Sequence, residues 1–390
     1  MERVVILEGA RTPIGKFLGS FADTPAVELG VAATREALSR ANVDADQVDE
    51  LIYGHARQAG NGPNTGRQVS VKAGVPIDVN AYNVNMACGS GMKSIQLAAE
   101  HIALGDAEVA VAGGMENMSR TPFLLDRMRT GYRMGDATAY DAMYRDGFLD
   151  PLCGLLMGET AENLARRYDI PRREQDEFAL ESQRKAEAGR ERRAGEMFPV
   201  EVAARKGTVT VTEDEHPRPQ TTLEGLGKLA PVFDAAHGTV TAGNSSGITD
   251  GAASMVLMSE SRAKAEGREP LARIVAVAQA AVDPAIMGIA PVPATKKLLD
   301  RTGLSIRDFQ VVEINEAFAA QVLACDRELK FDHDKLNVRG GAIAVGHPIG
   351  MSGARIVLSL AYEMRDGGYN LGLATLCISG GQGMAMVLER

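Results

Sequence analysis

Two cysteines and one histidine lie in glycine-rich segments of this chain. Cys88 occurs in Asn-Met-Ala-Cys-Gly-Ser-Gly, His347 in Gly-His-Pro-Ile-Gly, and Cys377 in Cys-Ile-Ser-Gly-Gly. A thiol and an imidazole can act as a nucleophile and its general base, and a second thiol can move a proton at carbon. Glycines allow close backbone approach and leave N–H groups free to face developing negative charge. The segments therefore predict acyl transfer coupled to proton transfer, provided that the fold brings them together.

The flanking residues indicate how each group is held. Cys88 follows an extended segment and precedes a helical one, so the positive end of that helix is expected to favour its thiolate. A small buried cysteine is the alternative interpretation. His347 lies in a loop too rich in glycine and proline for a core strand or helix. Its alternative role is a hydrogen bond that stabilises this loop.

Two further positions follow predicted strands. Cys377 ends the strand-like run 371–376, where a second thiol suggests a separate acid–base task; a core cysteine is the alternative. Asn315 follows the predicted strand 311–314, where its amide would hold a water or an oxyanion. A simple helix cap is the alternative for Asn315.

Composition excludes several classes of protein. A chain of 390 residues is expected to form two or three domains. The net charge of −9 argues against a nucleic-acid binder. Four scattered cysteines predict neither a disulfide scaffold nor a metal site. The first residues suggest a strand rather than a signal peptide, and no apolar run is long enough to span a bilayer. We therefore expect a cytoplasmic enzyme without a membrane partner.

An internal repeat predicts the architecture. Matching segments occur in the same order twice: helices 33–40 and 294–301, strands 48–53 and 309–314, helices 94–104 and 356–364, and strands that begin at 109 and 371. Alternating strands and helices predict parallel or mixed sheets covered on both faces, here in two similar halves about a pseudo-twofold axis. The alternative is a chance likeness of two α/β segments. Between the halves, residues 119–249 form a candidate lid or binding subdomain, with one helical pattern over 159–189 that restarts at Pro171.

Together these motifs resemble the thiolases, which comprise acetyl-CoA acetyltransferases and 3-ketoacyl-CoA thiolases. Further segments carry the resemblance over essentially the whole chain, at 111–119, 157–163, 239–247, 315–319 and 340–348. It implies an α/β fold, a five-layered α-β-α-β-α sandwich of two similar halves with an inserted loop domain. The implied domains are 1–118 plus 250–268, 119–249, and 269–390.

The resemblance also implies a role for each reactive residue. Cys88 would be the nucleophile that becomes acylated, and His347 would deprotonate it. Cys377 would be the acid and base for the α-carbon proton. Asn315 would hold a water that forms one oxyanion pocket with His347. The backbone N–H groups of Cys88 and Ser379 would form the other oxyanion pocket.

Coenzyme A is implied as substrate and product, with no permanently bound cofactor and no metal. Ser246 would contact its pantetheine arm and Arg218 its nucleotide end, and Phe233 and Met287 would line the channel. The other expected contacts of the substrate are Met157, Ala317 and Phe318. Positive charge for the CoA moiety is expected from Arg205, Lys206 and Lys228, and solvated surface side chains are the alternative interpretation of Arg205 and Lys206. Residues 119–143 resemble the arm that ties thiolase dimers into a homotetramer.

Two residues depart from the family pattern. Ser379 replaces a usual glycine and would strain its turn if a positive φ were needed there. Leu156 stands where acetyl-CoA-specific members commonly have histidine.

The implied activity is the reversible condensation of two acetyl-CoA to acetoacetyl-CoA and CoA by a ping-pong route. The alternatives are a degradative thiolase acting on other, longer 3-ketoacyl-CoA substrates, a ketoacyl synthase, and a non-catalytic lipid-binding protein. The physiological direction, the chain-length preference, and the choice of dimer or tetramer stay open at this stage.

Overall fold

The computed structural model describes residues 2–204 and 207–390. Its strands, in chain order, are β1 (Val4–Arg11), β2 (Gly15–Lys16), β3 (Glu50–His55), β4 (Asn80–Val84), β5 (Val109–Asn117), β6 (Phe123–Leu125), β7 (Ala139–Asp141), β8 (Leu149–Asp150), β9 (Leu155–Leu156), β10 (Val200–Ala204), β11 (Gly207–Val211), β12 (Thr249–Ser259), β13 (Ala272–Ala281), β14 (Val311–Ile314), β15 (Leu371–Ile378) and β16 (Gln382–Glu389).

The α-helices, in chain order, are α1 (Ala26–Ala41), α2 (Thr65–Ala73), α3 (Ser90–Leu104), α4 (Met157–Arg167), α5 (Arg172–Ala188), α6 (Arg190–Glu196), α7 (Leu223–Gly227), α8 (Glu260–Ala265), α9 (Pro291–Thr302), α10 (Ala319–Leu329), α11 (Ala342–Val345) and α12 (Ile349–Gly367). Within the described ranges, no helix combines the length and the apolar character that crossing a bilayer requires.

The main sheet consists of two half-sheets with the same strand order. The N-terminal half-sheet runs β4-β3-β5-β12-β1, and the C-terminal one runs β14-β15-β16-β13. A bridge from Leu336 to Val312 lies beside β14, where the N-terminal half-sheet has β4. The half-sheets join through a short antiparallel pairing of β1 with β13. This repeated order confirms the α/β fold class expected from the internal repeat.

Helices complete five layers. Helices α1 and α2 cover one side of the N-terminal half-sheet, and α9 and α10 cover one side of the C-terminal half-sheet. Helices α3 and α12 lie between the half-sheets and pack against each other. Helix α12 is buried continuously from Ile349 to Met364, as expected for a helix enclosed by protein on all sides.

Two glycines allow the central helices to touch through their backbones. A β-carbon on Gly91 of α3 would lie 2.6 Å from the backbone nitrogen of Ala354, and one on Gly353 of α12 would lie 2.5 Å from that of Met92. Real β-carbons do not approach other atoms so closely, so only glycine fits at these two positions. Because the two glycines lie near the starts of α3 and α12, their contact brings the two helix N-termini together.

The inserted segment corrects one sequence prediction. The helical pattern over 159–189 forms two helices, α4 and α5, rather than one. The chain turns between them at Asp169, whose φ is +50°, and Pro171 then precedes α5. A proline disfavours the helical conformation of the residue before it, which explains why the pattern restarts there.

We expect Gly91→Ala to lower the free energy of unfolding by about 1–3 kcal/mol, because a methyl group must push two helix backbones apart. The matched control is Gly195→Ala in α6, where a β-carbon meets nothing within 4 Å. Alanine there should be neutral or stabilise the helix by up to about 1 kcal/mol. Chemical denaturation of both variants checks this, and equal effects would contradict the proposed contact.

Candidate active site

A cavity of about 270 Å³ lies beside the N-termini of α3 and α12. Both halves and the inserted segment contribute to its wall. The residues expected at the site that line the cavity are Cys88, Met157, Ser246, Phe233, Met287, Ala317, Phe318, His347, Cys377 and Ser379. Asn315 is fully buried and lies against His347. Arg218 and Lys228 are exposed and outside this wall, and Arg205 and Lys206 lie outside the described residues.

Cys88 lies in a tight turn between β4 and α3. A 3₁₀ turn spans Ala87–Gly89, and Ala87 has a φ of +44°, which is unusual for a residue with a side chain. The Asn85 Oδ1 atom accepts a hydrogen bond from the Ala87 N–H at 3.0 Å, and Ser90 Oγ donates to the Ala87 carbonyl at 2.7 Å. Polar neighbours thus hold a strained turn that presents Cys88 to the cavity.

The electrostatic state of Cys88 corrects the expected thiolate. Burial raises the pKa of the Cys88 thiol above its usual value, although three groups oppose this shift. They are the positive charge of Arg57 and the backbone N–H groups of Ser379 and of Cys88 itself. Desolvation outweighs them because a thiolate loses more solvation than a thiol. Cys88 is therefore a neutral thiol that needs a base.

The hydrogen bonds around His347 determine its tautomer. Ser352 Oγ donates to the Pro348 carbonyl at 2.9 Å, so its proton is engaged. His347 Nδ1 lies 2.5 Å from the same Oγ and must therefore donate to it. On the other side of the ring, Asn315 Nδ2 lies 3.4 Å from Nε2. Both contacts place the proton on Nδ1 and make Nε2 the ring's acceptor, whose lone pair Asn315 Nδ2 approaches.

Burial keeps this imidazole neutral. Desolvation lowers the pKa of His347 to about 3, and the positive charges of Arg355 and Arg57 act in the same direction. A neutral ring with an unprotonated Nε2 is available as a proton acceptor at any pH above about 4. The site therefore places a neutral base and a neutral thiol in the same cavity.

Asn315 is not a helix cap. The following helix, α10, begins at Ala319 with Phe318 at its N-cap position. The Asn315 Oδ1 atom is buried and makes no hydrogen bond within the described part of the chain. A buried amide oxygen without a partner is suited to hold a water.

Cys377 lies near the end of β15 in an apolar setting formed with Met287 and Ala317. Burial raises the pKa of the Cys377 thiol well above its usual value, and a negative charge on Cys88 would raise it further. This thiol is therefore protonated at neutral pH and is a candidate proton donor.

Ser379 is accommodated without strain in the turn that follows β15. The positive φ angles fall on Gly380 (+82°) and Gly381 (+77°) and not on Ser379. Asp150, from the inserted segment, accepts a hydrogen bond from the Gly380 N–H at 2.9 Å and holds the turn. The Ser379 N–H faces the sulfur of Cys88.

Aromatic side chains form the outer wall of the cavity. The rings of Phe233 and Phe318 meet edge to face, 6.5 Å apart. A β-carbon on Gly158 would lie 2.0 Å from the Phe233 ring, so glycine makes room for it. The N–H of Ser246 donates to the Ala317 carbonyl at 3.0 Å and fixes the 239–247 loop to the C-terminal half.

Several residues of the site were not predicted from the sequence. Arg57, Tyr144 and Phe148 line the cavity, and Ser352 orients His347. The position of Ser352, one turn into the helix after His347, is a signal that the sequence offered. Arg57 carries no local signal, because it approaches Cys88 only through the parallel pairing of β3 with β4, the strand that precedes Cys88. Among the described residues, no cluster of three or more metal-ligating side chains occurs.

Comparisons with known proteins agree with this geometry. The family model described as "Thiolase, N-terminal domain" matches residues 4–261, and "Thiolase, C-terminal domain" matches residues 268–390. Acetyl-CoA acetyltransferase of Escherichia coli (strain K12) is 53% identical, with 100% of both chains covered. Acetyl-CoA acetyltransferase of Rhizobium meliloti (strain 1021) is 51% identical, over 99% of this chain and 98% of that one.

Solved structures show the same relationship. The Bacillus anthracis acetyl-CoA acetyltransferase superposes with a TM-score of 0.97 at 44% identity, covering 100% of this chain and 99% of that one. Human mitochondrial 3-ketoacyl-CoA thiolase gives a TM-score of 0.95 at 42% identity, covering 100% and 98%. The chain therefore belongs to the thiolase family.

Proposed function

We propose that this protein is an acetyl-CoA C-acetyltransferase that condenses two acetyl-CoA to acetoacetyl-CoA and CoA, reversibly. The observation that carries the proposal is the placement of two neutral thiols and a neutral imidazole on one cavity wall. Similarity to known proteins agrees, since three relatives that are 51–53% identical over essentially their full length are named acetyl-CoA acetyltransferase.

In the first half-reaction, His347 Nε2 accepts the Cys88 thiol proton as the sulfur attacks the thioester carbonyl. The developing oxyanion faces the backbone N–H groups of Cys88 and Ser379, which need not reorganise during the reaction. CoA leaves with the proton of the Cys377 thiol, which becomes a thiolate, while His347 keeps the proton of Cys88. An acetyl-cysteine remains, and its thioester matches the substrate in reactivity.

In the second half-reaction, the Cys377 thiolate takes the α-carbon proton of the second acetyl-CoA. The enolate oxygen faces the protonated His347 and a water held by Asn315. The α-carbon attacks the acetyl group on Cys88, a C–C bond forms, and the Cys88 sulfur leaves and recovers its proton from His347. Thiolysis of a 3-ketoacyl-CoA follows the same steps in reverse. Two thiols are needed because one carries the acyl group while the other transfers the proton.

Coenzyme A would lie along the inserted segment. We assign the loop domain to 119–249, the N-terminal half to 1–118 plus 250–268, and the C-terminal half to 269–390. Ser246 and Met157 line the cavity, where the pantetheine arm would enter. Arg218 is exposed beyond the cavity, a position compatible with the nucleotide end. No resident cofactor is needed for these steps.

A homotetramer is supported by an apolar surface on the inserted segment. Phe123, Met128 and Met134 expose 68%, 60% and 95% of their surface on the arm that includes β6 and β7. Large exposed apolar side chains on one arm typically mark an interface between subunits. The four unpaired cysteines agree with the cytoplasmic location that we propose.

A degradative 3-ketoacyl-CoA thiolase is the second candidate. Leu156 lines the cavity with an apolar side chain, which suits a longer acyl tail. Assays with 3-ketoacyl-CoA substrates of four to sixteen carbons separate the two activities. The proposed activity predicts that kcat/KM falls by about tenfold or more beyond six carbons. A flat profile beyond six carbons would favour the second candidate.

Cys88→Ala should abolish acetylation on mixing with acetyl-CoA and reduce turnover by about 10³-fold or more, because no other group can carry the acyl chain. Intact-protein mass spectrometry and thiolysis assays measure both effects. Cys153→Ala is the matched control, since Cys153 is half-buried and outside the cavity wall. Turnover of acetoacetyl-CoA with CoA by Cys88→Ala would show that the mechanism is wrong. A wild-type protein that is neither acetylated nor active would instead support the non-catalytic alternative.

A further inference from the structure

Arg57 differs from the other buried arginines of this protein. Four buried arginines have carboxylate partners within 4 Å: Arg11, Arg193, Arg339 and Arg355. Arg57 is only 9% exposed, yet it forms no ion pair within the described ranges. Its Nε atom is buried without a hydrogen-bond partner there. A buried cation without a partner is unfavourable, so its retention calls for a function.

The backbone of Arg57 is held in place by hydrogen bonds to Glu116. Its backbone N–H donates to Glu116 Oε1 at 3.0 Å, and that carboxylate also accepts from the N–H of Gly350 at 2.9 Å, at the start of α12. The remaining partners of Glu116 are the Ala56 N–H and the His55 ring. Glu116 therefore fixes the backbone of Arg57 and is not within ion-pair distance of its guanidinium.

The guanidinium of Arg57 is part of the cavity wall, together with Cys88, Tyr144 and Phe148. A β-carbon on Gly147 would lie 2.1 Å from Arg57 Nη2, so the inserted segment packs directly over the guanidinium. No side-chain donor of Arg57 is engaged by the described protein atoms, and Arg57 lines the cavity. The methyl end of an acyl chain offers these donors no acceptor.

A carboxylate is the ligand that matches this arrangement. A guanidinium presents paired N–H donors to a carboxylate, and such bidentate pairs are among the strongest hydrogen bonds in proteins. We propose that Arg57 is a subsite for the terminal carboxylate of an acyl chain, so that the enzyme also acts on 3-oxoacyl-CoA substrates that end in a carboxylate. This inference rests on the proposed thiolase function and names a substrate class for the same cavity.

The chemistry is ordinary thiolysis. With 3-oxoadipyl-CoA, the Cys88 sulfur bonds to C3 and the C2–C3 bond breaks. The electron pair left on C2 takes a proton from Cys377, which releases acetyl-CoA. The succinyl group stays bonded to the Cys88 sulfur, and its terminal carboxylate pairs with the guanidinium of Arg57. The thiol of CoA then attacks this thioester, gives its proton to the Cys377 thiolate, and succinyl-CoA leaves as Cys88 recovers the proton from His347.

A matched substrate pair tests the proposal in the wild-type enzyme. 3-Oxoadipyl-CoA and 3-oxohexanoyl-CoA have acyl chains of the same length, ending in a carboxylate and in a methyl group. We expect wild-type kcat/KM to favour the carboxylate substrate by about tenfold or more. Arg57→Met should lower kcat/KM for that substrate by about 30-fold or more, because one partner of a buried charge pair is lost. For 3-oxohexanoyl-CoA, the loss should be at least about tenfold smaller than for the carboxylate substrate, because any effect of Arg57 on Cys88 and His347 is common to both substrates.

Each other outcome overturns the inference. An equal loss for both substrates would show that Arg57 acts on the thiol, and the pH dependence of Cys88 alkylation by iodoacetamide would shift with it. No preference for the carboxylate in the wild type would overturn the inference even if the variant failed to fold. In either case, thiolysis of acetoacetyl-CoA and acetylation of Cys88 would leave the proposed function standing, whereas loss of both in the wild type would contradict that function.

Discussion

The site depends on one backbone contact between two helices. Helices α3 and α12 cross where Gly91 and Gly353 leave no room for a β-carbon, and each helix begins beside a reactive residue. Cys88 lies two residues before α3, and His347 lies two residues before α12. Because equivalent positions of the repeat supply both glycines, the duplicated fold itself brings Cys88, the proposed nucleophile, and His347, its proposed base, to the same cavity. A wider crossing would move the two reactive groups apart.

Burial sets the electrostatic character of the site. The same desolvation that raises the pKa of Cys88 lowers that of His347 to about 3, so both groups are neutral before substrate binds. Proton transfer between neutral partners requires no charged group to be desolvated in advance. In the proposed mechanism, the backbone N–H groups of Cys88 and Ser379 donate hydrogen bonds where negative charge develops. The glycines at 380 and 381 take the positive φ angles of that turn, which is why a serine is tolerated at 379.

Much of the fold was predictable because its signals are local and repeated. The helical and strand periodicities occur twice in the same order, and the half-sheets repeat the strand order accordingly. The reactive residues were found because glycine-rich turns mark them in the sequence. The two sequence predictions that were wrong both depend on tertiary context. The thiolate expected for Cys88 ignored its burial, and the single helix over 159–189 ignored the turn at Asp169. Arg57 could not be singled out from the sequence. What distinguishes it is that no carboxylate of the described residues lies within ion-pair distance, and this is a property of the folded chain alone.

The pH dependence of the first acetylation step tests the central claim most directly. If neutral His347 takes the proton from neutral Cys88, the rate of acetyl-cysteine formation should be flat from about pH 5 to 7, because neither group changes its charge in this range. Rapid-quench mass spectrometry with acetyl-CoA measures this rate. A decline below about pH 6.5 would show an ordinary histidine, and a tenfold rise per pH unit would show a free thiolate reacting without a base. Either result would contradict the account.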